Sequence, residues 1–219
     1  MKFAPVIYLI GMLLCILSLF MLVPAIVDWF YGSNDWPAFI ASSLVTVFFG
    51  GAFYFSGRGS ATEHLELRQA FLLTNSAWLS IALFGSLPFL FSEINMSFVD
   101  AIFESTSGIT TTGSTVIVNL EQISHGILIW RALLQWLGGV GIIVMALAIL
   151  PMLSIGGMQL FKTESYETPD KVVPKAAGFA KGISIVYLTL TIAWAVMLWG
   201  AGMPVFDSIA HAMTTIATG

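Results

Sequence analysis

Charge is what this sequence has least of. Of its 219 residues, 8 are Lys or Arg and 12 are Asp or Glu, which together make 9%. A soluble domain carries about 25% charged residues, so that class is excluded. No basic patch with interleaved aromatic residues is present, and we expect no nucleic-acid partner. The single cysteine, Cys15, excludes an internal disulfide, and no Cys/His cluster has the spacing of metal ligands.

Catalytic patterns are also missing. The carboxylates have no spacing typical of an acid/base pair, and no Ser/His/Asp set occurs in chain order. The glycines at 138–141 follow no strand and lack the lysine of a nucleotide-binding loop. We therefore expect that the protein is not an enzyme.

Long apolar runs are what the sequence does have, with 58% hydrophobic residues. Crossing a hydrocarbon core of about 30 Å takes about 20 apolar residues in a helix. Five runs are long enough, at 3–27, 37–55, 70–91, 127–160 and 182–203. The fourth exceeds one crossing and contains several glycines and a proline, which predicts a kinked or broken helix with close glycine packing. The sequence thus predicts an all-α polytopic membrane protein.

Two further apolar segments, 98–108 and 204–214, are too short to cross. Each precedes a turn rich in Thr and Gly. We predict re-entrant segments that enter as a helix, capped in the first copy by Ser97 or Asp100, and return as a strand. The two copies align Asp100 with Asp207.

The turn at 109–114 has the composition of an ion path. Backbone carbonyls can replace the water shell of an alkali cation, threonine hydroxyls add further oxygens, and glycine allows dihedrals that other residues resist. Irregular backbone at membrane depth must be buried in protein or line a water-filled path. A polar loop outside the membrane is the alternative. The residues predicted to bind the cation are Thr110, Thr111, Thr112, Gly113, Ala217, Thr218 and Gly219.

The register of the second turn stays open at this point. Without a gap, Thr112 falls on Gly219; with a one-residue gap, Gly113 falls on Gly219. A ring of filter carbonyls needs about four strands. We therefore expect this chain to be the front part of a longer protein.

Charge placement predicts the topology. Connections 28–36 and 92–125 contain acids but neither Lys nor Arg, whereas Lys and Arg gather at 57–69 and 161–181. The positive-inside rule places the basic connections and the N-terminus in the cytoplasm. Both short segments then enter from outside. The charged segment 161–181 is either a regulatory contact or a solvated connector.

Four further side chains are candidates for supporting the pore. Glu104, in the first short helix, either assists cation entry, binds the filter backbone, or is a surface acid. Arg131 pairs with Glu104 or Glu121, or snorkels to the interface, which we favour. Asp100 and Asp207 begin the two short helices. His211, aligned with Glu104, is expected to pack or form a hydrogen bond rather than to bind an ion, and His64 and His125 are expected to be solvated.

Several stretches together resemble the bacterial Trk/Ktr potassium transporter family. The first filter loop of that family is similar to SGITTTGSTVI at 107–117, and the helix after it to QWLGGVGIIV at 135–144 and LPMLSIGGMQL at 150–160. The second pore loop is similar to AGMPVFD at 201–207, continuing to Gly219. Two extra spans before the first pore unit point to the TrkH/TrkG branch.

The resemblance implies repeated units of span, pore helix, filter loop and span, in a potassium-channel-like architecture. The chain divides into two extra N-terminal helices (1–69), a first pore unit (70–160), a cytoplasmic linker (161–181) and part of a second unit (182–219). The full protein would have four units, and we expect this chain alone not to conduct. Residues 163–174 lack the Pro-Gly-Pro pattern of close relatives.

By resemblance, the function is potassium uptake across the bacterial inner membrane, with potassium bound in the filter. The protein would be a homodimer in the lipid bilayer, regulated by a cytoplasmic nucleotide-binding subunit of the TrkA type. The alternative is a non-conducting membrane scaffold or an intramembrane hydrolase. That alternative leaves the repeated pore unit unexplained.

Overall fold

The computed structural model describes residues 3–60, 67–153 and 172–219, and this part of the chain contains helices and no β-strand. The α-helices are α1 (Ala4–Phe20), α2 (Leu22–Tyr31), α3 (Trp36–Gly57), α4 (Leu67–Gly85), α5 (Leu87–Phe91), α6 (Phe98–Ile109), α7 (His125–Leu153), α8 (Val172–Gly200) and α9 (Val205–Ile216). Short 3₁₀ turns occupy Arg58–Ser60 and Leu120–Gln122.

Five segments of the described chain are long and apolar enough to cross a membrane. They are Ala4–Tyr31, Trp36–Gly57, Arg68–Phe91, His125–Ile143 and Gly182–Gly200. They coincide with the five predicted runs, so the prediction of a multi-pass all-α membrane protein is confirmed.

Proline divides two of these spans into paired helices. Pro24 has no N–H to donate to the carbonyl of Phe20, and α1 ends at Phe20. Pro88 likewise cannot donate to Phe84, and α4 ends at Gly85 before α5 begins. The chain continues across the membrane in each case because the second helix resumes within two residues.

The connection between the first two spans is shorter than predicted. Residues 28–31 belong to α2, and the helix ends at Gly32, whose φ of 72° is left-handed. The side chain of Asp28 is fully buried rather than part of a polar turn. Its burial is possible because its carboxylate accepts a backbone N–H from α7.

Helices α1 and α3 pack closely along their length. A Cβ at Gly11 would overlap the backbone of α3 at Tyr54, and a Cβ at Gly57 would lie 2.6 Å from the carbonyl oxygen of Ala4. The Ser43 hydroxyl donates to the Ser18 carbonyl at 2.8 Å. These contacts make the N-terminal helix pair one packed unit.

The two short helices have equal length. Helices α6 and α9 contain 12 residues each, or about 18 Å at 1.5 Å per residue, which is too short to cross. The Ser97 hydroxyl accepts the Asp100 N–H at 3.1 Å, so Ser97 is the N-cap of α6. Of the two proposed caps, the structure selects Ser97.

The prediction of a kinked or broken fourth helix is tested only in part, by helix α7. It runs unbroken from His125 to Leu153, although it contains Gly138, Gly139 and Gly141. A glycine costs about 1 kcal/mol relative to alanine within a helix, and close packing of neighbouring backbone offsets that cost at two of the three positions. Residues 154–160 of the predicted run lie outside the described residues.

Of the linker predicted at 161–181, residues 161–171 lie outside the described part of the chain. From Val172 onward the backbone is already helical and continues into the last span as α8. Helix α8 is therefore longer at its N-terminal end than the predicted span at 182–203.

Candidate functional site

The first candidate loop begins where α6 unwinds. The N–H of Thr111 donates to the Gly108 carbonyl at 2.9 Å, and that of Thr112 reaches back to the Ser107 carbonyl at 3.0 Å. Thr111 has a φ of 57° and Gly113 a φ of 76°, both left-handed. The chain therefore leaves the helix through a tight turn. The predicted return as a strand is wrong, because residues 112–119 form no regular structure.

The second loop repeats this turn at the end of α9. The N–H of Thr218 donates to the Thr215 carbonyl at 3.1 Å, and that of Gly219 to the Thr214 carbonyl at 3.1 Å. The φ of Thr218 is 63°. The two patterns coincide when Thr111 aligns with Thr218 and Thr112 with Gly219. The structure thus selects the register without a gap.

The residues before each turn also match. Thr110 has φ −84° and ψ 5°, and Ala217 has φ −78° and ψ −5°. Both are the last near-helical residues before the left-handed one. The Thr110 hydroxyl lies 2.8 Å from that of Thr112 and 2.7 Å from the carbonyl of Thr106, which it donates to.

The structure brings the two loops into contact. A Cβ built on Gly113 would lie 2.9 Å from the carbonyl carbon of Gly219. A Cβ built on Gly219 would lie 3.3 Å from the Thr111 carbonyl oxygen. Residues 106 positions apart therefore meet, and the oxygen-rich turns lie side by side. Among the described residues, no group of three His, Cys, Asp or Glu side chains could hold a metal, so the available donors are carbonyls and hydroxyls.

Ser107 holds the first loop against its helix, a role that sequence reasoning missed. Its carbonyl accepts the Thr112 N–H, and its hydroxyl donates to the Ser114 carbonyl at 2.6 Å. The side chain is buried. A small hydroxyl residue one turn before a threonine-rich loop was the available signal. Ser107 bonds on both sides of the turn and so limits its movement.

Glu104 supports the segment that leaves the first loop. It is 1% exposed and accepts the Val116 N–H and the Thr115 hydroxyl, each at 3.1 Å. It is also paired with Arg131 Nε of α7. The surface-acid interpretation is wrong, and of the alternatives the structure shows binding to the backbone that follows the first loop.

The Arg131 interpretation that we favoured, snorkelling to the interface, is also wrong. The side chain is 16% exposed and paired with Glu104. A buried carboxylate requires a compensating charge and hydrogen bonds, and the Glu104 carboxylate has both. The side chain of Glu121, the other proposed partner, is outside the described part.

Asp100 and Asp207 lie at the opposite ends of their helices from the loops. Each is in the first turn, where a negative charge interacts favourably with the helix dipole. The Asp100 carboxylate also accepts the Ser97 hydroxyl at 2.7 Å. The structure therefore places both aspartates at the helix starts and not beside the turns.

Two acids that sequence reasoning used only for topology, Asp28 in α2 and Asp35 after it, bond to segments distant in sequence. Asp28 accepts the Gly126 N–H at 2.5 Å. Asp35 accepts the Glu93 N–H at 2.8 Å and the Ser124 hydroxyl at 2.7 Å. Beside them lies a cavity of about 520 Å³ with polar lining. These bonds hold three connections together over the start of α7.

His125 is not the solvated loop residue that we predicted. It begins α7 and stacks on Tyr31 with ring centroids 4.0 Å apart. Phe206 of α9 meets it edge to face at 4.6 Å. His211, by contrast, is exposed, and the packing role predicted for it is not seen in the described chain.

The predicted glycine packing of α7 is present at two positions. A Cβ at Gly138 would overlap the Ile109 carbonyl oxygen, and one at Gly139 would overlap the Tyr187 hydroxyl and lie 3.3 Å from Ala217 Cα. Gly141 has no close neighbour. Helix α7 thus contacts the ends of both short helices.

Comparison with known proteins gives a consistent family. The TrkH family, described as cation transport protein, matches residues 36–219. The potassium uptake protein TrkH of Vibrio parahaemolyticus is 44% identical over all of this chain, which covers 46% of that relative. TrkH of Escherichia coli is 40% identical with the same coverage, and TrkG of Escherichia coli is 35% identical over 97% of this chain and 44% of its own length.

A solved structure agrees with these sequences. The potassium transporter TrkH from Vibrio parahaemolyticus superposes with a TM-score of 0.85 and 42% identity, covering 97% of this chain and 42% of that one. The chain spans slightly less than half the length of the curated relatives it matches. With the fold, the repeated loops and the sequence match in agreement, the chain belongs to the TrkH family of cation transport proteins.

Proposed function

We propose that this chain contributes the first two pore units of a potassium-translocating subunit. The observation that carries the proposal is the contact between two loops of identical turn geometry, at Gly113 and Gly219. Relatives over the whole chain are named Trk system potassium uptake proteins. Two matching loops in contact are what pseudo-symmetric units around one ion path require.

The chemistry proposed for the loops is coordination of a dehydrated cation by backbone carbonyls. Seven residues would supply or position these oxygens: Thr110, Thr111, Thr112, Gly113, Ala217, Thr218 and Gly219. The left-handed residues allow successive peptide groups to face different directions, as a coordinating loop needs. Potassium is the transported substrate and would be held at each step by several such oxygens.

The short helices assist the same chemistry. Both α6 and α9 end at the loops, so their C-terminal ends are directed at the proposed path. The C-terminal end of a helix carries about half a negative charge, which favours a cation. Glu104 and Arg131 would keep the outgoing backbone of the first loop in place without contacting the ion.

The setting proposed is the bacterial inner membrane with the N-terminus in the cytoplasm. The distribution of Lys and Arg between the connections supports this orientation. The segment 161–181 would then face the cytoplasm and contact a nucleotide-binding regulatory subunit of the TrkA type. The full subunit would form a homodimer.

Cation-dependent stability and transport of the full-length protein test the proposal together. Potassium and rubidium should raise the melting temperature more than sodium or lithium, because ligands that bind the native state stabilise it. Proteoliposomes should take up potassium faster than sodium. Equal stabilisation by all four cations, with no potassium uptake, would favour a non-conducting scaffold.

A further inference from the structure

One buried side chain lies beside both loops, close to the point where they meet, and has no part in the proposed coordination. Gln135 is on α7 and is 4% exposed. A Cβ built on Gly219 would lie 2.8 Å from Gln135 Oε1, and one built on Gly113 would lie 3.8 Å from Gln135 Nε2. The amide group therefore lies close to both loops where Gly113 and Gly219 meet.

Two residues one helical turn after Gln135 contact the ends of both short helices. Gly138 and Gly139 follow Gln135 by about one helical turn, which places all three on one face. Gly138 meets Ile109 at the end of α6, and Gly139 meets Ala217 at the end of α9. The face made by Gln135, Gly138 and Gly139 is thus in contact with the first loop on one side and the second on the other.

Helix α8 holds α7 in place beside this face. The Trp136 indole donates to the Thr191 hydroxyl of α8 at 3.1 Å, and the Tyr187 hydroxyl of α8 donates to the Trp136 carbonyl at 3.2 Å. Two hydrogen bonds therefore tie α7 to α8 directly beside Gln135. A side chain supported in this way can transmit a fixed spacing to its neighbours.

The acceptor atom of Gln135 is not satisfied within the described chain. Its Oε1 is buried and has no hydrogen-bond partner among the described residues. A buried acceptor of this kind costs free energy unless it finds a donor, so an unpaired one in a native structure calls for an explanation. The nearest backbone is that of the second loop at Gly219.

We infer that Gln135 is a positioning residue for ion selectivity. Its amide limits how the first and second loops can shift relative to each other, with Oε1 nearest the second loop at Gly219 and Nε2 nearest the first loop at Gly113. The inference rests on the proposed function. The ion itself is not a ligand of Gln135; the side chain acts through the loop backbones. Discrimination between cations of different radius depends on where the loop oxygens are held. A change at Gln135 that shifts these oxygens should therefore affect selectivity more than stability.

Replacing Gln135 by Met in the full-length protein tests this role. The variant Gln135→Met keeps the length and unbranched shape of the side chain and removes its hydrogen-bonding atoms. The expected result is a fall of about threefold to tenfold in the potassium-over-sodium ratio of initial uptake rates, the range that a single polar contact is worth. The matched control is Thr46→Val, which removes a buried polar group of α3 far from the loops and should leave the ratio unchanged.

A second variant keeps the test decisive if Gln135→Met does not fold. Gln135→Asn retains the amide but withdraws it by one methylene group, so it should also lower the ratio. Melting temperatures without alkali cations identify purely structural damage, which would lower stability without changing the ratio. A wild-type ratio in the folded Gln135 variants would overturn the inference. If the wild-type protein itself shows no preference for potassium, the proposed function fails instead, and the two failures are distinguishable.

Discussion

The two short helices end in the same turn but differ in what holds the chain around them. At the end of α6, Glu104 is buried, paired with Arg131 and bonded to the backbone at Val116. The aligned residue of α9 is His211, which is exposed. Yet the turns at Thr111 and Thr218 have the same hydrogen bonds and the same left-handed φ.

This difference separates two physical causes. The turn itself arises from bonds between residues three and five positions apart, which any helix end can make with suitable residues. The support of the backbone beyond the turn comes from α7 and depends on tertiary packing. Changes within the turn should therefore affect transport through either loop, whereas changes at Glu104 and His211 should have unequal effects.

The largest effect is expected from proline in the first turn. In the full-length protein, Thr112→Pro removes the N–H that donates to Ser107 and disfavours the left-handed conformation of Thr111 before it. Potassium uptake should be abolished. Thr112→Val, the matched variant, keeps the backbone and loses only the hydroxyl contact to Thr110, so uptake should persist. Equal damage from both, at equal expression, would show that side-chain oxygens hold the ion.

The second-largest effect is expected from Glu104→Gln, which should destabilise the protein. The matched change at His211 should have little effect on stability. Removing one charge of a buried pair costs about 3–5 kcal/mol, and the partial exposure of Arg131 lowers the expected loss to about 2–3 kcal/mol. His211→Gln, at an exposed site, should change stability by less than about 0.5 kcal/mol. Thermal unfolding in detergent measures both. Similar losses for the two variants would contradict the asymmetry between the units.

A smaller effect is expected from Gly113→Ser. The φ of Gly113 is 76°, and an added Cβ would lie 2.9 Å from Gly219. A side chain in this conformation costs about 1–2 kcal/mol, so the potassium-over-sodium uptake ratio should fall roughly tenfold. Gly141→Ser, at a glycine of α7 with open space around it, is the control. An unchanged ratio in Gly113→Ser would remove the filter assignment from this loop.

The comparison also requires that both short helices enter from the same side, which labelling can test. In a Cys15→Ser background, a cysteine at Ser165 should not react with an impermeant maleimide added to intact cells, because 161–181 is proposed to be cytoplasmic. A cysteine at Asn34, in an exposed turn proposed to face the periplasm, should react. Labelling at Ser165 from the periplasmic side would contradict the proposed topology.

Local patterns in the sequence were sufficient for much of this fold. Hydropathy predicted the five spans, because the length of apolar sequence that crosses a bilayer is set by the helix rise. The N-cap at Ser97 and the alignment of Asp100 with Asp207 also depend on neighbouring residues only. The loop composition and the family motifs located the candidate site before its geometry was known.

What the tertiary structure alone decided concerns partners distant in sequence. Hydropathy cannot show that Asp28 is buried, since its compensating donor at Gly126 comes from another helix. The same holds for Arg131, whose charge finds Glu104 rather than the interface. The contact of Gly113 with Gly219, and the position of Gln135 beside it, depend on how α7 packs against both short helices. Sequence determined the segments and their turns because those forces act between near neighbours; packing decided which segments meet.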